Sequence, residues 1–112
     1  MEAKAEAREL RISADKVRLV IDLVRRKDVI EAIGILNNMN KKGARLVLKT
    51  LQSAIANAEN NLKLDRNNLY IKECYVNEGQ ILKRIKPESR GHYGRRDRRY
   101  SHITVVVSEK QA

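Results

Sequence analysis

The chain has 112 residues, a length typical of one domain with a modest hydrophobic core. Hydrophobic residues make up 42% of the sequence, which excludes a wholly disordered chain, and its only aromatic residues are 4 tyrosines, so the core must be aliphatic. The formal net charge of +10 opposes compaction and favours a polyanionic partner, with nucleic acid as the first candidate and an anionic membrane surface as the second.

The first predicted element is a strand over residues 3–12. Small apolar residues alternate with charged ones in AKAEA, residues 3–7, whereas Leu10 and Ile12 follow the opposite phase. The change of phase near Arg8–Glu9 indicates a bulge or bend. A helix is the alternative, because Ala and Glu favour one.

Three helices are predicted between this strand and residue 62. The first begins after a capping Ser13 and ends at the cations Arg25–Lys27. Its apolar stripe is Val17, Val20, Ile21 and Val24. The second begins at Asp28, which forms a capping-box-like pair with Glu31. Its inward-facing residues are Val29, Ala32, Ile33, Leu36 and Met39. The third runs from about Lys41 to Leu62. Its buried stripe is Val47, Leu51, Ala54, Ile55, Ala58 and Leu62.

Two strands are predicted in the last third of the chain. Residues 62–68 read as a loop, residues 69–76 as a strand, and residues 102–107 as a stronger strand because β-branched residues dominate it. This order of elements predicts an α+β fold, with residues 1–112 as a single domain. Cys74 is the only cysteine, which excludes an internal disulfide and predicts a half-buried thiol in a reducing compartment.

A strongly basic excursion separates the last two strands. We interpret residues 83–101 as an extended hairpin, whose arms could reach about 30 Å. Eight cations lie in it, opposed only by Glu88 and Asp97: Lys83, Arg84, Lys86, Arg90, Arg95, Arg96, Arg98 and Arg99. They cannot enter the core unpaired, and an isolated ribbon is marginal in water, so we expect the arm to be mobile alone and ordered against a polyanion. A solvated basic loop without a partner is the alternative.

The residues for contact with RNA divide into two sets. In the hairpin, the eight cations would contact phosphates, while Tyr93 and Tyr100 could stack on bases. A second, weaker set lies in the body, where a solvated helix face is the alternative. It comprises Arg11, Lys16, Arg18, Arg25, Lys27, Lys41, Lys42, Arg45 and Lys49.

The sequence argues against catalysis. His92 and His102 are the only histidines, and Ser101 and His102 are strand neighbours whose side chains point to opposite faces. Neither zinc-ligand spacing nor a phosphate-binding GxxxxGK[ST] loop is present in the sequence. We therefore predict a protein that is not an enzyme and that needs no metal or cofactor. The N-terminal segment lacks the apolar centre of a signal peptide, and no run approaches the roughly 20 apolar residues that span a bilayer, so we expect a cytoplasmic protein.

Four stretches carry a resemblance to a known family: LRISADKVRLVIDLVRRK (10–27), LQSAIANAENN (51–61), NEGQILKRIKP (77–87) and SHITVVVSE (101–109). In their order and separation they resemble the twenty-second family of large-subunit ribosomal proteins, in its bacterial type. The family commonly has proline at the positions of Ala14 and Gln80, glycine at Arg26, and a basic residue at Glu88.

This resemblance implies an architecture and a function. Three helices would pack on a small three-stranded antiparallel sheet, from which a long basic β-hairpin would protrude into large-subunit (23S-type) rRNA. The protein would be a structural constituent of the large ribosomal subunit that binds and organises rRNA, with its hairpin lining the nascent-polypeptide exit tunnel. The hairpin tip would be Ser89, Arg90, Gly91, His92, Tyr93, Gly94 and Arg95.

The implied partners are rRNA, neighbouring large-subunit proteins and the nascent polypeptide. Neither a membrane nor a stable homo-oligomer is expected. The alternative function is that of an architectural DNA-binding protein with a basic β-ribbon arm.

Overall fold

A computed structural model describes the backbone of residues 1–87 and 93–110 and the side chains of residues 1–79 and 100–110. It confirms the predicted α+β fold. The elements, in chain order, are β1 (Glu2–Leu10), α1 (Ala14–Val24), α2 (Val29–Asn37), α3 (Lys42–Asn61), a 3₁₀ turn (Arg66–Asn68), β2 (Leu69–Pro87) and β3 (Tyr93–Glu109).

The three strands form one antiparallel sheet in the order β1-β3-β2. The centre belongs to β3, whose β-branched residues Ile103, Val105 and Val107 turn one face towards the helices and are fully buried. The alternating small residues of β1, Ala3 and Ala5, are also buried on this face. Their size lets a helix approach the sheet closely.

The longest helix, α3, lies across the strands and completes an aliphatic core. Its buried residues are Gly43, Ala44, Val47, Thr50, Leu51, Ala54, Ile55 and Ala58. They include all of the predicted stripe except Leu62, which is the C-cap residue and is only half-buried. At its start, a Cβ on Gly43 would lie 3.4 Å from Val20 and 3.5 Å from the Lys16 carbonyl oxygen. The first turns of α1 and α3 are therefore in contact, which places their cations side by side.

The helix starts are where they were predicted, but the capping bonds are different. Ser13 and Asp28 occupy the N-cap positions of α1 and α2, yet neither side chain makes a capping hydrogen bond. The predicted capping box between Asp28 and Glu31 is wrong. The Asp28 carboxylate instead lies 2.9 Å from Lys110, and Glu31 lies 3.7 Å from Lys27.

The predicted hairpin is present as a two-stranded ribbon. The last pair between β1 and β3 is Leu10 with Ser101, whereas β2 and β3 stay paired out to Pro87 and Tyr93. Both strands are therefore longer than the predicted 69–76 and 102–107. The Cα atoms extend over 66 × 26 × 17 Å, as expected for a compact body with a long arm. Of the predicted tip, Ser89, Arg90, Gly91 and His92 lie outside the described residues, and Tyr93, Gly94 and Arg95 are the first residues of β3.

Candidate nucleic-acid interface

The ribbon, defined here as residues 81–87 of β2 and 93–99 of β3, carries most of the predicted hairpin cations. Lys83, Arg84 and Lys86 lie in β2, and Arg95, Arg96, Arg98 and Arg99 lie in β3. Arg90 lies outside the described residues. The register places Arg84 opposite Arg96 and Lys83 opposite Asp97. Like charges at opposed positions destabilise a free two-stranded ribbon, and a polyanion would remove that repulsion.

The two predicted stacking tyrosines occupy different parts of β3. Tyr93 is at the far end of the ribbon, opposite Pro87. Tyr100 lies at the base of the ribbon and is half-buried. Of the two tyrosines, Tyr93 is therefore the one farther from the body.

The fold brings four of the predicted body cations together where α1 and α3 begin. This α1–α3 junction contains Arg11, Lys16, Lys41 and Lys42, all of them exposed. A hollow of about 370 Å³ is lined by Ile12, Lys16, Leu19, Lys41, Lys42 and Gly43. The Lys42 ammonium donates a hydrogen bond of 2.9 Å to the Arg11 carbonyl, which ties α3 to the end of β1.

Two helix N-termini add positive potential to the α1–α3 junction. The N-caps of α1 and α3, Ser13 and Lys41, make no side-chain capping bond, so backbone N–H groups of both first turns remain open to an outside acceptor. The acid of this region, Asp15, is held by Arg18 at 2.9 Å. Phosphate oxygens are acceptors of the kind that such a surface would take.

The remaining predicted body cations do not belong to this cluster. Each of three cations is paired with an acid three or four residues away in the chain: Arg18 with Asp15 at 2.9 Å, Arg25 with Asp22 at 3.2 Å and Lys27 with Glu31 at 3.7 Å. Arg25 also donates to the Cys74 carbonyl at 3.3 Å, so it joins α1 to β2. Arg45 lines a hollow beside the asparagine-rich turn after α2, and Lys49 lines a groove between β1 and α3.

The sheet face turned away from the helices is close to electrically balanced. We call this the outer sheet face and define it by Glu2, Lys4, Glu6, Arg8 and Lys72. Glu2 bonds Lys72, and Glu6 lies 3.2 Å from Lys4 and 3.1 Å from Arg8. These hydrogen bonds and charges hold the pKa of both carboxyls below the usual value for glutamate. A surface with such pairs attracts polyanions much less than the junction does.

The base of the ribbon contains a feature that sequence reasoning missed. β1 and β2 each carry an irregularity here, between Ala7 and Leu10 and between Glu78 and Ile81. Between them stands His102, whose Nδ1 accepts a hydrogen bond of 3.1 Å from the Glu9 N–H. The bulge near Arg8–Glu9 was predicted from the phase of the sequence. The irregularity in β2 could have been predicted from Gly79, because a glycine inside a strand often marks a bulge.

Cys74 is more deeply buried than predicted. It is 3% exposed rather than half-buried, and burial raises the pKa of its thiol to about 12, with a smaller opposing effect of Arg25. The thiolate is the reactive form, so this group is a packing residue and not a nucleophile.

Residues 1–87 and 93–110 contain neither a metal-binding cluster nor a membrane-spanning helix. Among these residues, no group of three or more His, Cys, Asp or Glu side chains could hold a metal ion. Among the described helices, none combines the length and apolar character needed to cross a membrane.

The sequence is similar to a family of known proteins over nearly its whole length. Residues 5–108 match the family described as "Ribosomal protein L22p/L17e". Curated relatives include "Large ribosomal subunit protein uL22" of Oceanobacillus iheyensis, 52% identical over 99% of this chain and 98% of the relative. The protein of the same name from Ligilactobacillus salivarius is 55% identical over 96% of this chain and 94% of the relative.

Proposed function

The chain belongs to the ribosomal protein L22p/L17e family, and from this premise we propose that it is a structural constituent of the large ribosomal subunit that binds and organises rRNA. Its hairpin lines the exit tunnel of the nascent polypeptide. The observation that carries the proposal is the ribbon itself, since β2 and β3 continue as a pair beyond the end of β1 and carry seven of the predicted cations, Lys83, Arg84, Lys86, Arg95, Arg96, Arg98 and Arg99.

The protein recognises the shape and backbone of folded RNA and not a base sequence. Phosphate contacts by the ribbon cations and by Arg90 supply affinity through counterion release. Tyr93 and Tyr100 stack on bases. The tip, Ser89 to Arg95, is the part that faces the nascent chain.

The body makes a second contact through the α1–α3 junction. Its exposed cations and two open helix N-termini support this assignment. Arg45 and Lys49 extend the contact along α3. Arg18, Arg25 and Lys27 contribute less, because each already has an acidic partner within 3.7 Å.

The chain acts as one domain, without catalysis, metal or cofactor, in the ribosomes of the cytoplasm. Its partners are 23S-type rRNA, neighbouring large-subunit proteins and the nascent polypeptide, and it forms neither a stable homo-oligomer nor a membrane contact.

The test is the salt dependence of binding to large-subunit rRNA. A variant with Arg95, Arg96, Arg98 and Arg99 changed to Gln should bind more weakly. The slope of log K against log salt concentration should fall in magnitude by about 3, because each lost phosphate contact removes roughly 0.7–0.9. Filter binding between about 50 and 200 mM salt measures this slope, and duplex DNA as competitor tests the alternative of a DNA-binding arm.

A matched variant removes the same charge from cations held by acids. Arg8, Arg66, Lys72 and Lys110, paired with Glu6, Glu59, Glu2 and Asp28, are changed to Gln. This control should leave the slope within about 1 of the unaltered protein. Equal slopes for both variants would mean that net charge alone drives binding, and preferential competition by duplex DNA would also overturn the proposal.

A further inference from the structure

The base of the ribbon is built from two bulges that face the same short piece of β3. In β1, Arg8 and Glu9 together stand opposite one residue, His102, between the pairs Ala7–Ile103 and Leu10–Ser101. In β2, two residues, Gly79 and Gln80, stand opposite Tyr100, between the pairs Glu78–Ser101 and Ile81–Arg99. A bulge bends its strand and increases its twist, so two bulges at one level determine the direction in which the ribbon continues.

The side chain of His102 links the two bulges. Its Nδ1 accepts the Glu9 N–H at 3.1 Å, at a residue whose φ of 56° is otherwise strained. Its Nε2 lies only 3.1 Å from the place where a Cβ on Gly79 would stand. The imidazole therefore reaches from the β1 bulge to the β2 bulge across the sheet.

The neighbouring positions leave little freedom for a different arrangement. A Cβ on Gly79 would also lie 3.0 Å from the Tyr100 carbonyl oxygen, so only glycine fits without displacement. On the opposite face, Ser101 is fully buried, and within the described residues its hydroxyl has no hydrogen-bond partner. Its small side chain occupies the last level at which all three strands are present.

We propose that His102 is a positioning residue that fixes the direction in which the ribbon leaves the body, by bonding the β1 bulge and occupying the space beside Gly79. Without this link, the ribbon would pivot at the level where β1 ends. That this direction serves to present the ribbon to RNA rests on the proposed function. The link itself is a property of the free protein.

The experiment compares three variants of the full chain. His102→Leu removes the acceptor, His102→Asn keeps an acceptor at the position of Nδ1, and Gly79→Ala places a methyl group against the imidazole. Amide hydrogen exchange by NMR should show the Glu9 N–H exchanging on the order of tenfold faster in H102L, as expected for a lost hydrogen bond, and close to the unaltered rate in H102N. Unchanged exchange at Val105, in the centre of β3, shows that the body remains folded.

A distance measurement reports ribbon direction independently of stability. Spin labels at Gln52→Cys in α3 and Lys83→Cys in the ribbon should give a broader distance distribution in H102L and G79A. The broadening should be smaller in H102N, which keeps the bond to the β1 bulge but does not reach the space beside Gly79. An unchanged distribution in H102L, or equal broadening in H102L and H102N, would overturn the proposal. Because both readouts use the protein without RNA, failure of rRNA binding would count against the proposed function alone.

Discussion

Among the residues that the structure describes, three other than glycine have a positive φ, and each marks a point where regular structure is interrupted. They are Glu9 at 56°, Arg26 at 64° and Lys63 at 58°. Glu9 lies in the β1 bulge, Arg26 follows the C-cap of α1, and Lys63 follows the C-cap of α3. The first is supported by His102, whereas the other two are helix ends at which glycine is the usual residue.

Arg26 offers a test of this strain. Arg26→Gly should raise the free energy of unfolding by about 1 kcal/mol, because glycine adopts the left-handed region without the steric cost of a Cβ. Arg26→Ala is the control, since it removes the same charge and keeps the Cβ. Urea denaturation measures both, and an equal gain in the two variants would assign the effect to charge.

The Cys74 thiol allows a prediction about pH. Burial raises its pKa to about 12, above its usual value of 9.0, so the folded state holds its proton more tightly than the unfolded state. The stability contributed by this group is complete below pH 9.0 and is lost as the pH rises towards about 12. At pH 8 we expect iodoacetamide to modify Cys74 only after denaturation.

A second thiol provides the control for this measurement. Gln52→Cys places a thiol on an exposed position of α3, and it should react with iodoacetamide in the folded protein at the rate of a free cysteine. Mass spectrometry after digestion distinguishes the two sites. Rapid native modification of Cys74 would show that β2 opens on the timescale of the reaction.

At the scale of elements, stability depends on the face that α3 turns to the sheet. Leu51 is fully buried there, and Leu51→Ala should lower the free energy of unfolding by about 2–5 kcal/mol through lost burial and a residual cavity. Leu19→Ala, the same change at a residue 64% exposed on α1, should cost less than about 0.5 kcal/mol. Thermal or urea denaturation separates the two, and similar losses would place Leu19 in a buried contact.

The elements were predictable where a period in the sequence determines them. The stripes of α1 and α3, the phase change at Arg8–Glu9 and the β-branched run in β3 each predicted the observed structure. Capping was not predictable, because Asp28 finds its partner in Lys110, a residue 82 positions away. The α1–α3 junction was not predictable either, since Lys16 and Lys41 line one hollow only through the tertiary packing of α1 against α3.

At the scale of the whole molecule, positive charge is concentrated on some surfaces and is balanced by acids on others. The outer sheet face holds its cations in pairs with acids, whereas the α1–α3 junction and the ribbon concentrate positive charge. A formal charge of +10 is therefore not spread evenly, and the two basic regions lie at different places on one body. Under the proposed function, the two basic regions would neutralise two separate segments of RNA.

This uneven distribution of charge predicts that two variants that lose the same number of cations will differ in the salt dependence of rRNA binding. Changing Lys16, Lys41 and Lys42 to Gln should lower the salt slope of rRNA binding by about 2, because in the proposed function the junction cations contact phosphates. Changing Lys4, Arg8 and Lys72 of the outer sheet face to Gln should leave the slope nearly unchanged. Hydroxyl-radical footprinting should then show one protected RNA segment lost in the junction variant while the segment protected by the ribbon remains. A footprint lost from the sheet-face variant instead would mean that RNA lies against the strands, and that the paired acids there are displaced on binding.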